Sequence, residues 1–202
     1  MTGDETSHNG VPPAGAQSRA TGSAGATTAG AGPAGGLEID SPAIDDAAAM
    51  YRVTRDSGSL DLNSSYVYLL WCRDFARTSA VARAGGAVVG FVSGYLRPDA
   101  PDVLVVWQVA VDASQRGGGV AGKLLNHLVD RVRPRHLETT ITADNTASIK
   151  LFLALARDRS TEIVRSELFT PDLFPGEHDA EELYRIGPFD FGASAEAPGS
   201  GA

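Results

Sequence analysis

The run Gln115-Arg116-Gly117-Gly118-Gly119 lies between a Val-rich stretch and an amphipathic one, and its chemistry is that of an anion cradle. The first N–H groups of a helix have no partner inside it, its dipole favours negative charge beside them, and glycine permits positive φ and close approach by a ligand. Two phosphate motifs can be laid over the run. Gly117 to Lys123 fits G-x-x-x-x-G-K, but Leu124 stands where Ser or Thr must hold magnesium, and no second acidic strand end supports that loop. G-x-G-x-x-G read from Gly117 is met by Gly119 and Gly122, with Asp144 about twenty residues on, so the pattern alone does not exclude a dinucleotide fingerprint. Chain position argues against it, because that fingerprint follows the first strand of its unit and this loop follows the fourth predicted strand.

The elements that must position this loop are read from changes in hydrophobic period. Leu37 to Asp40 is a short strand, and Ser41-Pro42 supplies the cap and first residue of a helix running to about Asp56, ended by Ser57-Gly58. A second helix starts near Asn63 and puts Val67, Leu70, Trp71 and Phe75 on one face. Ser79 to Arg83 and Ala87 to Leu96 are strands joined through Ala84-Gly85-Gly86, a hairpin signal, and Arg97-Pro98-Asp99 closes the second. Val103 to Val111, nearly apolar on both faces, reads as a central strand. After the glycines comes a helix with Val120, Leu124, Leu125, Leu128 and Val132 inward. His136 to Thr142 is a strand, Asp144 or Asn145 caps a helix through Arg157, Thr161 to Leu168 is a strand, Thr170 to Asp179 is a loop, and Glu182 to Ile186 is the last strand. The order is mixed α/β with hairpins.

The first 36 residues contain 9 Gly and 8 Ala and no aromatic residue, and residues 190–202 are similar. Such segments bury too little apolar surface to offset backbone entropy, so a disordered leader (1–36) and tail (190–202) flank one expected domain, 37–189. No apolar run approaches the roughly 18 residues of a spanning helix, and the leader lacks the basic start and apolar middle of a signal peptide. A net charge of −8 argues against general binding to nucleic acid or anionic membrane and leaves room for a small cationic substrate. The single cysteine, Cys72, excludes an intrachain disulfide and fits a reducing, cytoplasmic compartment; it reads as a structural thiol rather than a nucleophile. His8, His127 and His136 lack ligand spacing, and no metal site is expected.

Arg116-Gly117-Gly118-Gly119-Val120-Ala121 matches R-x-x-G-x-G/A, and with the element order around it the chain resembles the GNAT acetyltransferase superfamily. Asn145-Thr146-Ala147-Ser148 after the fifth strand is a second such feature. Within the superfamily, Arg55-Asp56-Ser57-Gly58, Leu60 to Tyr66, Val106 to Val111, Leu137-Glu138-Thr139-Thr140 and Leu183 to Phe189 are similar to the L-2,4-diaminobutyrate acetyltransferases of ectoine biosynthesis, over about residues 37–189. The resemblance implies a GNAT fold, a mixed and mostly antiparallel sheet flanked by helices. It also implies acetyl transfer from acetyl-CoA to the 4-amino group of L-2,4-diaminobutyrate, and a homodimer, with the final strand near Leu183 to Ile186 as a contact. Another diamine or a protein lysine as acceptor, or a non-catalytic acyl-CoA sensor, are the alternatives.

By the same resemblance Arg116, Gly117, Gly118, Gly119, Val120 and Ala121 bind the CoA pyrophosphate. Val109, Ala110 and Val111 pair with pantetheine, with an N–H polarising the thioester carbonyl, worth a few kcal/mol in a dry site. Asn145 and Ser148 meet the pantetheine arm, although Asn at a helix start is equally a cap. An alkyl ammonium with a pKa near 10 is neutral only about once in a thousand at pH 7, a deficit of roughly 4 kcal/mol. Val103 to Val111 carries no acid to relay that proton, so the base lies elsewhere or acts through water. The resemblance offers Asp61, Tyr66, Trp107, His178 and Glu181 as the acceptor pocket: Asp61 and Glu181 on the ammonium groups, Trp107 as a wall, His178 with Glu181 passing the proton. Against this, Asp61 could be a turn residue, Tyr66 and Trp107 core aromatics, and His178 and Glu181 a solvated loop end. Glu138 is a weaker base candidate, expected to be exposed at a strand start. Where many GNAT enzymes carry a tyrosine acid, the count from Asn145 and Ser148 reaches Phe152, so no tyrosine acid is expected there.

Overall fold

A computed structural model describes residues 36–58, 60 and 62–192. The expected tails, except for Gly36 and residues 190–192, and the candidate Asp61 lie outside the described residues. Seven strands form one sheet: β1 (Glu38–Asp40), β2 (Ala80–Ala84), β3 (Ala87–Arg97), β4 (Ala100–Val111), β5 (His136–Thr142), β6 (Ile163–Phe169) and β7 (Glu181–Ile186). Their spatial order is β1-β2-β3-β4-β5-β7-β6, and every neighbouring pair is antiparallel except β4 with β5. Helices α1 (Ala47–Ser57) and α2 (Ser65–Asp74) pack Met50, Val53, Tyr68 and Trp71 on one face, against Val81, Val88 and Phe91. Helices α3 (Val120–Val132) and α4 (Thr146–Asp158) cover the other with Leu124, Leu128, Phe152 and Leu155 against Val92, Leu104, Leu137 and Ile186.

Local signals act as expected at several joints. Gly85 and Gly86 both take positive φ, 57° and 82°, which gives the β2–β3 turn a twist that suits a hairpin. Gly58, at φ 62°, ends α1 in the left-handed conformation.

Four expectations are corrected. The first helix begins at Ala47 after a 3-10 turn over Ile44–Asp46, not at Pro42. Ser41 is not its cap because its Oγ accepts from Arg131 Nη1 at 2.7 Å; Asp46, held by Arg83, accepts from the Ala43 N–H instead. On α2 the inward stripe is Tyr68, Trp71 and Cys72, with Phe75 left 37% exposed past the helix end. On α3 Val129 is fully buried and Val132 only partly, because the helix stops there and Arg133 turns to the left-handed conformation. The final strand β7 is interior, between β5 and β6, with Tyr184 and Ile186 buried; the edge is β6.

The feature that shapes the site is in β4. Gly94 pairs with Val106 and Ser93 with Gln108, so Trp107 is an extra residue, a β-bulge. The bulge shifts the alternation: Val106 and Val109 join the core under α3 and α4, whereas Trp107 reaches Trp71 and Gln108 reaches Tyr68 on the other face. Gly94 makes room for it, since a Cβ there would meet Val105 O at 2.6 Å and Thr78 O at 3.1 Å. Both obstacles are backbone. Gly94→Ala is therefore expected to destabilise the protein by about 2–3 kcal/mol in urea unfolding, through forced backbone shifts; a loss under about 0.5 kcal/mol would mean that the bulge tolerates a side chain.

Candidate active site

β4 and β5 share only three paired positions, Val103 with His136, Leu104 with Leu137 and Val105 with Glu138. Beyond them β5 stays paired to β7 as far as Thr142, and β4 continues to Val111 bound to β3 alone. The two strands part, and Val106 to Val111 presents backbone without a β5 partner. A cavity of about 490 Å³ opens at this divergence, lined by Val109, Ala110 and Val111 of β4, by Asn145, Ala147, Ser148, Lys150 and Leu151 at the start of α4, and by Arg116 and Ala121 of the glycine turn.

The turn is anchored by Asp112, whose carboxylate accepts from Ser114 N at 3.0 Å and Ser114 Oγ at 2.8 Å and meets Arg52 at 3.2 Å. The Ser114 amide and hydroxyl, with the Arg52 guanidinium, hold that carboxyl below the usual range. Gly117 and Gly119 have φ of 80° and 72°, and a Cβ on either would meet nothing within 4 Å, so conformation rather than space demands glycine. Gly119 precedes α3 with no side-chain cap and no acid in the first turn. α4 differs: its cap Asn145 accepts from Ser148 N at 3.1 Å. The start of α3 thus keeps its anion-binding capacity, and Arg116 stands beside it, donating to Ser57 O at 3.1 Å. The arrangement suits a phosphate-bearing ligand whose extended, amide-containing arm runs along the free edge of β4.

Of the expected cofactor residues, Val109, Ala110, Val111, Arg116, Ala121, Asn145 and Ser148 line this cavity, and Gly117 to Val120 form the turn at its rim. Of the expected acceptor residues, Tyr66, Trp107, His178 and Glu181 lie outside its lining. Trp107 is 55% and Tyr66 61% exposed, so neither is a core aromatic. Trp107 lies 6.1 Å from the Trp71 ring, which continues the aromatic group to Phe75 at 4.9 Å. Glu181 opens β7 opposite Thr142, three residues from the α4 cap, at the sheet end where β4 and β5 part. His178, in the preceding loop, stacks on Phe174 at 3.9 Å with Nδ1 2.6 Å from Asp179 O. A carbonyl oxygen can only accept, so Nδ1 carries a hydrogen, and in the neutral ring Nε2 is the acceptor.

Glu138 is not exposed as expected. It is 4% accessible, its Oε1 accepting from Arg185 at 2.8 Å and its Oε2 from Arg97 at 3.1 Å, because neighbours on β3 and β7 close over it. Sequence reasoning also missed Ser57, Leu60, Ala147, Lys150 and Leu151 in the lining, and the buried polar group under Trp107, where Tyr68 OH and Thr54 Oγ1 lie 3.3 and 3.5 Å from Gln108 Oε1. Gln108 alone carried a signal, as the only polar residue within Val103 to Val111. Phe152 is core, 2% exposed.

The match to known proteins agrees with this geometry. The acetyltransferase (GNAT) family model covers residues 44–156. The L-2,4-diaminobutyric acid acetyltransferase of Streptomyces coelicolor is 56% identical over 162 residues, 77% of this chain and 95% of that protein. The enzyme of the same name from Marinococcus halophilus is 47% identical over 157 residues, 76% and 91% of the two chains. Among solved structures, the diaminobutyrate acetyltransferase EctA from Paenibacillus lautus, in complex with L-2,4-diaminobutyric acid and coenzyme A, is 36% identical, with a TM-score of 0.73 over 78% of this chain and 99% of that one. The chain belongs to the GNAT acetyltransferase family and, within it, to the L-2,4-diaminobutyric acid acetyltransferases.

Cys72 takes no part in this site. It is buried at 4% exposure beside Met50, and burial, with Asp46 as a lesser contributor, pushes its thiol up to about 11. At pH 8 its thiolate is then about one part in a thousand. Ellman's reagent is expected to modify Cys72 at least a hundredfold more slowly in native than in urea-unfolded protein; equal rates would place the thiol at an accessible surface.

Proposed function

We propose that this chain transfers acetyl from acetyl-CoA to the 4-amino group of L-2,4-diaminobutyrate, giving N4-acetyl-L-2,4-diaminobutyrate in ectoine biosynthesis. The observation that carries this reading is the uncapped start of α3 set beside the unpaired β4 edge, one for a diphosphate and one for a chain of amides. In the reaction the amine lone pair attacks the thioester carbonyl carbon, a C–N bond forms, the C–S bond breaks, the ammonium proton leaves to a base and coenzyme A departs as thiolate. Arg116, Gly117, Gly118, Gly119, Val120 and Ala121 hold the diphosphate. Val109 to Val111 pair with pantetheine, and an N–H there opposes the charge growing on the carbonyl oxygen. Asn145 and Ser148 meet the arm.

On the acceptor side, Asp61 and Glu181 bind the ammonium groups and Tyr66 and Trp107 form the wall, a reading supported by the exposure of both rings. His178, with Glu181, takes the proton; the acceptor state of its Nε2 supports that role. No helix among the described residues is long and apolar enough to cross a membrane, and a single buried thiol supports a cytoplasmic setting.

Thiol release by purified protein with acetyl-CoA is expected with diaminobutyrate in preference to ornithine, lysine and a lysine peptide, and NMR of the product is expected to place the acetyl on N4. Preference for another amine would overturn the acceptor, and binding of coenzyme A without turnover on any of them would make the chain a sensor. Asp61→Asn is expected to lower kcat/KM for diaminobutyrate at least a hundredfold while coenzyme A binding in calorimetry stays within about twofold, since truncating one partner of a charge pair costs several kcal/mol.

A homodimer is part of the same reading. It is supported by β6, an edge strand with Val164, Leu168 and Phe169 exposed at 57%, 43% and 42%. Light scattering is expected to give twice the chain's mass, and Val164→Lys with Leu168→Lys to give the monomer; an unchanged dimer in the double variant would place the interface elsewhere.

A further inference from the structure

A second cavity, of about 180 Å³, lies between Ser41 after β1, Arg77 and Thr78 before β2, Leu96 of β3, and Arg131 and Val132 at the end of α3. It is at the far end of α3 from the glycine turn, about 20 Å along a helix of 13 residues. Two of its lining residues are cations, and both lack a carboxylate partner. Arg131 donates from Nη1 to Ser41 Oγ at 2.7 Å and from Nη2 to Ser79 O, two neutral acceptors, and its buried Nε has no hydrogen-bond partner. Burial depresses its pKa, and Asp40, whose carboxylate accepts from the Ser41 N–H and makes no ion pair with Arg131, offsets this only in part. Arg77 is exposed, and no hydrogen bond or ion pair holds its guanidinium among the described residues.

This is unusual for the molecule. Arg52, Arg83, Arg97, Arg159, Arg165 and Arg185 each meet an Asp or Glu, as do the surface pairs made by Arg55, Arg73 and Arg157. Among the described arginines without one, Arg133 lies over the Phe191 ring, Arg135 is exposed, Arg116 lines the coenzyme cavity, and Arg77 and Arg131 line this second one. In a chain of net charge −8, with acids in excess, a part-buried and an exposed cation lining one cavity, neither in an ion pair among the described residues, mark a place where the counter-ion comes from solution.

We propose that the cavity between Arg77 and Arg131 is a site for a small tetrahedral oxyanion of the phosphate or sulfate type, separate from the coenzyme site. The cavity is well under half the volume of the coenzyme cavity, which suits a single oxyanion and not a nucleotide. Ser41 Oγ accepts from Arg131 and so keeps its own hydrogen to donate. Thr78 does not add a donor, because its hydroxyl is committed to Gly94 O at 2.6 Å. Two guanidinium forks and one hydroxyl present donors from several directions, which the separate oxygens of a tetrahedral anion can accept in matched pairs. The bound anion ties the β1–α1 connection, the segment before β2 and the end of α3 to one another.

The test is thermal melting of the full chain saturated with coenzyme A, which occupies the glycine turn, titrated with inorganic phosphate, with sulfate, and with sodium chloride at matched ionic strength. The expected result is a saturable rise in Tm with phosphate and sulfate beyond that given by chloride, with a midpoint at least tenfold higher in Arg77→Gln. Ser41→Ala, read in the same way, serves if Arg77→Gln does not fold. No rise beyond chloride, or the same midpoint in the variant as in the native chain, overturns the site; a saturable response to chloride alone overturns the choice of a tetrahedral anion.

Discussion

The site depends on two parallel strands that stop pairing. Backbone N–H and C=O groups inside a protein need partners, and a central strand normally finds them on both sides. β4 finds them on one side only beyond Val105. The bulge at Trp107 begins at the same level, and an extra residue increases strand twist, which swings the far end of β4 away from β5. β5 is held back by six paired positions with β7. The gap is therefore fixed from both sides, by a strand that bends and a strand that cannot follow. An extended amide-bearing arm can complete the sheet there without any side chain specifying it.

The remainder of the site follows from what flanks that gap. α3 leaves its first turn without a side-chain cap, Gly119 standing where α4 has Asn145, and such a turn can hold a diphosphate. Two glycines at positive φ turn the chain from Asp112 back into α3 within the reach of Arg116. The bulge that opens the gap also turns two consecutive side chains to the same face: Trp107 toward solvent beside Trp71, and Gln108 inward to Tyr68 and Thr54. A buried amide bonded by helices α1 and α2 pins the bulge, so the helical layer and the strand that borders the cavity are positioned together.

What was legible in the sequence is what is encoded locally. The glycine turn, the Asn145 cap, the Gly85-Gly86 hairpin and the end of α1 at Gly58 each need only a few neighbouring residues, and each lies where its pattern predicts. What was misread is set by distant partners. The start of α1 depends on Asp46 reaching Arg83, 37 residues away, and the burial of Glu138 on Arg97 and Arg185, 41 and 47 residues away. The bulge at Trp107 leaves no periodic trace in a run that is apolar on both faces. The position of β6 at the edge follows from β7 inserting between it and β5, which strand order along the chain does not reveal.

The same partners narrow the search for the proton acceptor. β4 carries no carboxylate from Val103 to Val111, and Glu138, the acid nearest the point where the strands part, gives one oxygen to each of two guanidiniums and is closed from solvent. Its carboxylate faces those two cations and not solvent. The loop that leads into β7 has constraints of a different kind: His178 is oriented by a ring stacked on Phe174 and by one carbonyl, not by a charge. In a neutral imidazole held through Nδ1–H, Nε2 is the acceptor without a carboxylate behind the ring. A second acid close to the reacting nitrogen would stabilise its ammonium and raise the cost of removing the proton. Carboxylates that hold the substrate's ammonium groups therefore bind it at the cost of making its amine harder to free.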